Sequence, residues 1–399
     1  MKNPIALSVL ALLFGLSTVL IAQAPTAKVS EAVTPVNPLC ITPTEKFSQA
    51  LLTDSALVLA GFALPETSEL ASISVSAPAK LHQQNFQASF KKLDERQLNR
   101  VKAFSMAELA APAGIDADAP LFYPFSGPDL LYAEAFFPNA RRYLLTGLEP
   151  VGAMPELTSY QTIELADSFA ELRKSLHAIL NFSFFKTNDM RVDFRRSKLK
   201  GVVPVLLTFA AKAGFEVHNM HFFYVNTDGS VCTTDASALV NIKAPQIPGV
   251  ELTLKRSASS ASQALIYLSS DIGDSGLAKT PQYPELVKRL GHGATFLKSA
   301  SFLLHKPYFS KVRQLILDTS PRVLQDDSGI PYTQFPPANW QPVFYGTYVK
   351  PIPLFGNHNQ PKLTEAFKVK GSKPLEFGIG YRYSKHDSSL LLFNKIPTP

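Results

Sequence analysis

The sequence predicts an α/β fold, with a mixed sheet flanked by helices and a C-terminal antiparallel hairpin extension. Helical and strand patterns alternate through the middle of the chain, whereas residues 376–383 and 389–396 are typical of two strands joined by a turn. Such alternation favours parallel strands joined by helices, and a hairpin adds antiparallel strands. The chain is 46% hydrophobic and 18% charged, so it has enough apolar material for a large core.

Residues 120–155 contain the clearest supersecondary pattern. Two apolar and aromatic runs, residues 121–125 and 143–148, are typical of buried strands. Residues 130–137 between them are apolar with good helix formers, and turn residues separate the three segments. Strand, helix and strand in this order predict a βαβ unit, whose two strands usually pair in parallel.

The turn after the first strand has a nucleotide-binding interpretation. A glycine turn that opens a helix, followed about 20 residues later by an acid after the next strand, is the layout of a dinucleotide-binding unit. Gly127 would be the turn glycine and Glu149 the ribose-binding acid, with Ser126 and Asp129 beside the ligand. Class I methyltransferases use a loose version of this layout. Only one glycine is present where the full fingerprint has three, and Pro128 lacks an N–H.

The same residues also have a purely structural interpretation. Ser126 and Asp129 have the spacing of a capping box, in which the two side chains satisfy the first N–H groups of the helix. Pro128 is tolerated in a first helical turn, and Glu149 followed by Pro150 could simply end a strand. Both interpretations remain open from the sequence.

A second candidate site combines one lysine with two aspartates. Lys298 lies inside an apolar run, where a charge is costly unless it is paired. Asp326 and Asp327 follow a predicted strand at residues 322–325. Together the three could form a polar catalytic pocket, with the acids acting as acid and base in a hydrolase. Alternatively, the aspartates belong to a turn and Lys298 is half of a buried ion pair.

The chain divides into four predicted regions. Residues 1–24 resemble a signal peptide, because Lys2 precedes an apolar run at residues 5–21 and an A-x-A cleavage site. This predicts export to the periplasm or outside the cell; an uncleaved N-terminal anchor is the alternative. No later apolar run reaches the length of a membrane span. The remaining regions are a Pro-rich linker (25–43), a mainly helical region (44–119) and an α/β main domain (120–399).

Charge and cysteine content limit the partners. The net charge of +7 suits an anionic envelope component or a small molecule, but it is too diffuse to indicate nucleic acid. Cys40 and Cys232 are the two cysteines, and they could form a disulfide in an oxidising compartment. We expect no metal site, since His218 and His221 would face opposite sides of an extended strand. The sequence indicates neither a cofactor nor an oligomeric state.

The chain resembles a family of uncharacterised exported bacterial proteins. The resemblance rests on Y-P-F-S-G-P-D at residues 123–129, G-L-E-P-V-G at 147–152, K-S-A-S at 298–301 and L-Q-D-D-S-G-I-P-Y at 324–332. It implies export and no particular activity. We therefore expect an exported soluble envelope protein that binds a ligand or partner. The alternatives are an envelope hydrolase using the lysine–aspartate pocket and a degenerate Rossmann-like, methyltransferase-like nucleotide-binding protein.

Overall fold

A ten-stranded mixed sheet with helices packed on it confirms the predicted α/β class. In the computed structural model the described residues are 43–109, 118–184, 198–257, 261–291, 293–383 and 387–397. All of them belong to one compact unit. The strands are β1 Leu121–Tyr123, β2 Arg142–Gly147, β3 Glu216–Val225, β4 Val231–Thr234, β5 Ile247–Lys255, β6 Ser262–Ser269, β7 Ala294–Leu297, β8 Arg322–Gln325, β9 Trp340–Gly346 and β10 Ser389–Lys395.

The strand order across the sheet is β4-β3-β5-β6-β2-β1-β7-β8-β10-β9. The five strands from β6 to β8 in this order pair in parallel, and antiparallel strands extend both edges. The chain runs from β1 to β2 and on to β6 in one direction, then returns to place β7 on the other side of β1. This reversal of strand order leaves a crevice at the carboxyl ends of β1 and β7.

The helices cover the sheet and belong to one hydrophobic core with it. They are α1 Gln49–Leu59, α2 Ala71–Ser74, α3 Ala77–Leu93, α4 Asn99–Glu108, α5 Leu130–Phe136, α6 Thr162–Phe182, α7 Val203–Lys212, α8 Ala236–Leu239, α9 Asp274–Lys279, α10 Gln282–Leu290, α11 Ser310–Thr319 and α12 Pro361–Lys370. Short 3-10 helices include Ser299–His305 directly after β7 and Pro353–His358 before α12. Among the helices of the described ranges, none combines the length and the hydrophobicity of a membrane span.

The helical region before β1 packs on the rest of the molecule. Helix α1 contacts α7 and β3, and α3 contacts α6. Leu52 of α1 and Phe86 of α3 are almost fully buried in the same core as the sheet residue Phe296. Residues 49–108 therefore contribute to the core of the α/β unit.

Two local expectations are corrected. The partner of β10 in the C-terminal extension is β9, with β8 on its other side, and residues 376–383 contain only an isolated bridge between Ile379 and Arg382. Four consecutive residues of β10, Leu390–Phe393, are buried; because successive side chains point to opposite faces, both faces of this strand are covered. The predicted capping box at Ser126 is also wrong: the N-cap of α5 is Asp129, which accepts a hydrogen bond from the Tyr132 N–H.

Candidate functional site at the switch in strand order

A cavity of about 140 Å³ lies where the order of the parallel strands reverses. Its walls come from the segments that directly follow β1, β2, β6 and β7, so it opens at the carboxyl edge of the sheet. Apolar lining residues are Phe125, Leu148, Phe184, Ile272, Ala300, Leu303 and Phe309. Polar and charged lining residues are Ser126, Asp129, Thr146, Glu149, Ser270, Asp271, Lys298 and Ser299.

The Glu149 carboxylate packs against two glycines that line this cavity, Gly127 and Gly147. A Cβ atom on Gly127 would be 3.4 Å from Glu149 Oε2, and one on Gly147 would be 2.8 Å from the Gly127 Cα. Only glycine at position 147 leaves room for the carboxylate to fold back over the turn. Tyr267 of β6 donates its hydroxyl to the Glu149 carbonyl (2.8 Å) and to Oε2 (3.3 Å). Burial, together with the Glu149 charge, raises the pKa of Tyr267, which keeps this hydroxyl a donor.

Two N–H groups of the turn after β1 are used within the protein. The Ser126 and Gly127 N–H groups both donate to the Thr146 carbonyl, at 3.0 and 3.3 Å. Pro128 has no N–H, and the hydroxyl of Ser126 donates to the Gly127 carbonyl (2.9 Å). Two backbone hydrogen bonds therefore hold the turn against β2, and these two N–H groups are not available to a phosphate as they would be in a dinucleotide-binding turn.

Lys298 and Asp129 form a buried ion pair beside the cavity. The Lys298 ammonium donates to Asp129 Oδ2 (2.7 Å) and to the Ser183 carbonyl (2.5 Å), and it lies 3.9 Å from the centre of the Tyr132 ring. The Tyr123 hydroxyl donates to the same carboxylate oxygen (3.0 Å). Burial lowers the pKa of Lys298, and the Asp129 charge opposes this shift. The lysine predicted as catalytic thus pairs with an acid that the sequence assigned to the ligand turn.

Asp326 and Asp327 have separate partners. Asp326 accepts the Ser299 N–H (3.0 Å) and the Ser328 N–H (2.9 Å), and it also accepts the Ser328 hydroxyl. Asp327 Oδ2 lies 3.8 Å from Arg382 Nε, and neither atom has a hydrogen-bond partner within the described part of the chain. Burial, then the neighbouring Asp326 charge, raises the pKa of Asp327 to about 7, against the effect of Arg382. Asp326 therefore holds the backbone after β7 in place through the Ser299 N–H. Among the described contacts, neither aspartate forms an ion pair with Lys298.

Two non-glycine residues that line the cavity have a left-handed backbone conformation. Among the described residues, three that are not glycine have a positive φ: Phe125 (61°), Ser183 (64°) and Ser299 (59°). Ser183 ends α6, where this conformation is ordinary, but Phe125 and Ser299 line the cavity and end no helix. A bulky residue in this region is a genuine outlier, and such strain concentrates at ligand sites. The strained backbone and the reversal of strand order thus both indicate this cavity as the ligand site.

A larger cavity of about 1020 Å³ adjoins the first one. The two cavities share Leu148 and Glu149 as lining residues. The larger cavity is lined mainly by the loop after β2 and by the segment before α7, including Gly152 and Gly201. The two cavities therefore meet at these two residues.

Cys232, His218 and His221 line neither cavity. Cys232 is disulfide-bonded, and Cys40 lies outside the described residues. His221 and His218 are both on β3 and contact different acids, Glu251 (3.6 Å) and Glu216 (3.3 Å). No group of three or more potential metal ligands occurs in the ranges that the structure describes.

Sequence reasoning missed Phe125, Ser299, Tyr267 and Gly147 as residues of this site. The signal that could have identified them is position, because each lies within two residues of the carboxyl end of a parallel strand. Comparison with known proteins adds no assignment: no family model, curated protein or solved structure matches this chain. The function must therefore be argued from the geometry of the site.

Proposed function

We propose that the protein binds a phosphate-free nucleoside of the adenosyl class in the cavity at the switch in strand order. The observation that supports this most directly is the position of Glu149, which follows β2 and lies against the Gly127 turn after β1. In doubly wound sheets an acid at this position accepts hydrogen bonds from ribose hydroxyls. The larger cavity beyond Glu149 supplies the room for a base that the 140 Å³ cavity lacks.

The hydrogen-bond donors of the turn and the charge of the cavity lining both favour a ligand without phosphate. The N–H groups of Ser126 and Gly127 are used within the protein, so the turn has little to offer a phosphate oxygen. The cavity lining contains three carboxylates, Asp129, Glu149 and Asp271, and one ammonium, Lys298, which Asp129 already neutralises. The remaining negative charge repels a phosphate and favours a neutral or cationic ligand. An adenosyl sulfonium such as S-adenosylmethionine has the required sign.

A thermal-shift series tests this class of ligand. The purified chain would be heated with adenosine, S-adenosylmethionine, S-adenosylhomocysteine, ATP and NAD at equal concentrations. A ligand that binds only the folded state raises Tm in proportion to the logarithm of its concentration over Kd. We expect the three phosphate-free compounds to raise Tm and the two phosphate-bearing ones to leave it nearly unchanged. A shift with ATP as large as that with adenosine, or no shift with any compound, would overturn the proposal.

The hydrolase alternative has weaker support. It needs Lys298 and the two aspartates to face one substrate, whereas Lys298 pairs with Asp129 and Asp326 holds the Ser299 backbone. The adenosyl proposal relies on Glu149 and the Gly127 turn, which already lie against each other.

We propose separately that the protein is exported, as residues 1–24 predict. This proposal concerns where the protein is located and does not depend on the ligand that it binds. Adenosyl cofactors are made and kept in the cytoplasm, so an exported protein would meet them only if they reached the same compartment. Fractionation of the source cells, with the mature N-terminus determined by mass spectrometry, would test export. A periplasmic protein that begins after residue 24 is expected. A cytoplasmic protein that retains residue 1 would contradict it.

A further inference from the structure

We propose that the larger cavity binds an aliphatic chain with a cationic head group, at the end of the cavity that α8 and the start of β5 form. This ligand is separate from the nucleoside proposed at Glu149, and its binding does not depend on the nucleoside. The proposal rests on the size of the cavity, on the apolar residues at the α8 end and on the carboxylates that line it.

The larger cavity has far more volume than a nucleoside base needs. A cavity of about 150 Å³ holds one benzene ring, whereas the larger cavity measures about 1020 Å³. Ligand pockets commonly range from about 300 to 1,000 Å³, so this one lies at the upper end. A purine that enters beside Glu149 therefore leaves most of the volume for a second ligand.

The α8 end of this cavity is spatially distinct from the ribose position. Glu149 comes two residues after Gly147 of β2, which pairs with Ser269 of β6. Pro248 of β5 lies on the far side of β6. Two interstrand spacings amount to about 10 Å. Because Glu149 and Pro248 both line the cavity, it extends over this distance, and a ligand at each end can be tested separately.

The α8 end offers an apolar and aliphatic surface. Leu239, Val240 and Ile242 all line it, and Val240 is 77% exposed although its neighbour Leu239 is buried. One exposed valine is ordinary, but in the wall of a cavity it is apolar surface that a ligand can cover. No aromatic residue of the described ranges lines this cavity. An aliphatic chain fits such a wall, because it needs no ring to stack on.

The charges around the cavity indicate the head group. The lining contains three carboxylates, Glu45, Glu149 and Glu156, and one ammonium, Lys200. An excess of negative charge attracts cations and repels anions. A chain that carries an ammonium group is therefore favoured over a fatty acid of the same length.

Glu45 is held beside the apolar end by contacts between distant parts of the chain. Asp235 accepts hydrogen bonds from the Thr44 N–H (2.8 Å), the Thr44 hydroxyl (2.7 Å) and the Glu45 N–H (2.8 Å). The Glu45 carboxylate in turn accepts the N–H of Ala236, the first residue of α8 and 191 residues away in sequence (3.1 Å). A carboxylate and an aliphatic wall thus lie side by side, as the two parts of a cationic amphiphile require.

The backbone on the opposite side of the cavity is tightly packed. The Val202 N–H lies 3.1 Å from the Pro150 carbonyl and 3.0 Å from the Val151 carbonyl. A Cβ on Gly152 would lie only 1.8 Å from the Lys200 carbonyl oxygen, so the two segments meet where only glycine fits. A wall fixed in this way is preformed, which lowers the entropic cost of binding.

Calorimetric titration of the full chain with three probes tests the proposal. The probes are decyltrimethylammonium, decanoate and tetramethylammonium, at concentrations far below those at which micelles form. We expect decyltrimethylammonium to bind at least about tenfold more tightly than decanoate, because only its head group is attracted by the carboxylates. Tetramethylammonium should bind at least about tenfold more weakly than decyltrimethylammonium, because it lacks the apolar chain.

Val240→Asn locates the chain, with Val369→Asn as its matched control. Val369 is on α12 and is also 77% exposed, so neither substitution disturbs the core. Val240→Asn should weaken decyltrimethylammonium binding about fivefold or more, because the ligand would cover a polar side chain. Val369→Asn should keep the wild-type Kd.

Glu45→Gln locates the head group. Glutamine keeps an oxygen for the Ala236 N–H and loses only the charge, so the preference for decyltrimethylammonium over decanoate should decrease. Glu285→Gln, an exposed site on α10, should keep that preference.

Three results would overturn the proposal. They are decanoate binding as tightly as decyltrimethylammonium, absence of decyltrimethylammonium binding, and equal Kd values for Val240→Asn and Val369→Asn, which would mean nonspecific association of the surfactant. No nucleoside is present in these titrations, so failure of the adenosyl proposal would leave their results unaffected.

Discussion

Lys298 Nζ lies 2.7 Å from Asp129 Oδ2, and each side chain is only 2% exposed. This ion pair joins the end of β7 to the N-cap of α5, across 169 residues of sequence. Removing one partner of a buried ion pair leaves the other charge buried and unpaired, whereas removing both partners leaves no buried charge. The pair therefore fixes the two segments that form one side of the cavity.

A double-mutant cycle tests this pair. Asp129→Asn retains an oxygen for the Tyr132 N–H but loses the charge, and Lys298→Met retains the length of the side chain. Each single variant should lower the free energy of unfolding by about 3–5 kcal/mol. The double variant should lose at least about 2 kcal/mol less than the sum of the two, because neither charge is left unpaired. Urea denaturation measures all four proteins, and additive losses would contradict the coupling.

Asp327 should make stability depend on pH. The raised pKa means that the folded protein holds a proton that the unfolded chain releases, so the free energy of unfolding falls as pH rises from about 4 towards about 7. The full effect is at most about 4 kcal/mol, the product of the shift and the cost of one pKa unit. Asp327→Asn should flatten this decline.

The matched control for Asp327 is Asp318→Asn, on the exposed face of α11. Urea titrations at pH 4, 5.5, 7 and 8 would compare the three proteins. The control should keep the wild-type slope between pH 4 and 7. An Asp327→Asn protein with that same slope would show that Asp327 titrates in its ordinary range.

Gly147 should be required at the base of the cavity. A Cβ there would be 2.8 Å from the Gly127 Cα and 2.9 Å from the Tyr267 hydroxyl, and it would also collide with the Glu149 carboxylate. Overpacking of this kind costs about 1–3 kcal/mol. Gly147→Ala should therefore lower Tm and displace Glu149. Gly356→Ala is the control, since a Cβ there meets nothing within 4 Å, and equal Tm values for the two variants would contradict the close approach.

The disulfide at Cys232 should contribute to stability. Cys40 is the only other cysteine in the sequence, so we expect the two to pair. The intact mass without reductant should be two hydrogens below the reduced mass. Cys232→Ser should lower the free energy of unfolding by about 2–4 kcal/mol, as is typical for a disulfide. A monomer with two alkylatable thiols in the unreduced protein would contradict the pairing.

The pattern of apolar residues along the sequence is sufficient to predict the βαβ unit at the middle of the sheet. The βαβ unit was predicted because its two apolar runs and the helix between them lie within one short stretch, and β1 and β2 do pair in parallel. The α/β class followed from the same alternation. The partner of β10 was predicted wrongly because pairing depends on the whole sheet. Residues 376–383 have a strand-like composition, yet β10 is sandwiched between β8 and β9.

The candidate site was only partly accessible to sequence reasoning. Gly127 and Glu149 could be named because their spacing follows a known layout. The partner of Lys298 could not, since Asp129 is far away in sequence and the neighbouring acids Asp326 and Asp327 are closer along the chain. The strained φ of Ser299 depends on contacts with Asp326 and Gly380, which no periodicity reveals.

The most direct test of the adenosyl site is a calorimetric titration of S-adenosylhomocysteine into the wild-type chain, Glu149→Gln and Glu285→Gln. Glu285 is an exposed glutamate on α10 and serves as the control for loss of one charge. We expect binding to the wild type and the control with the same Kd, and binding to Glu149→Gln that is at least about tenfold weaker, because hydrogen bonds to a charged carboxylate are lost. Absence of binding to the wild type, or an unchanged Kd in Glu149→Gln, would contradict the proposed site.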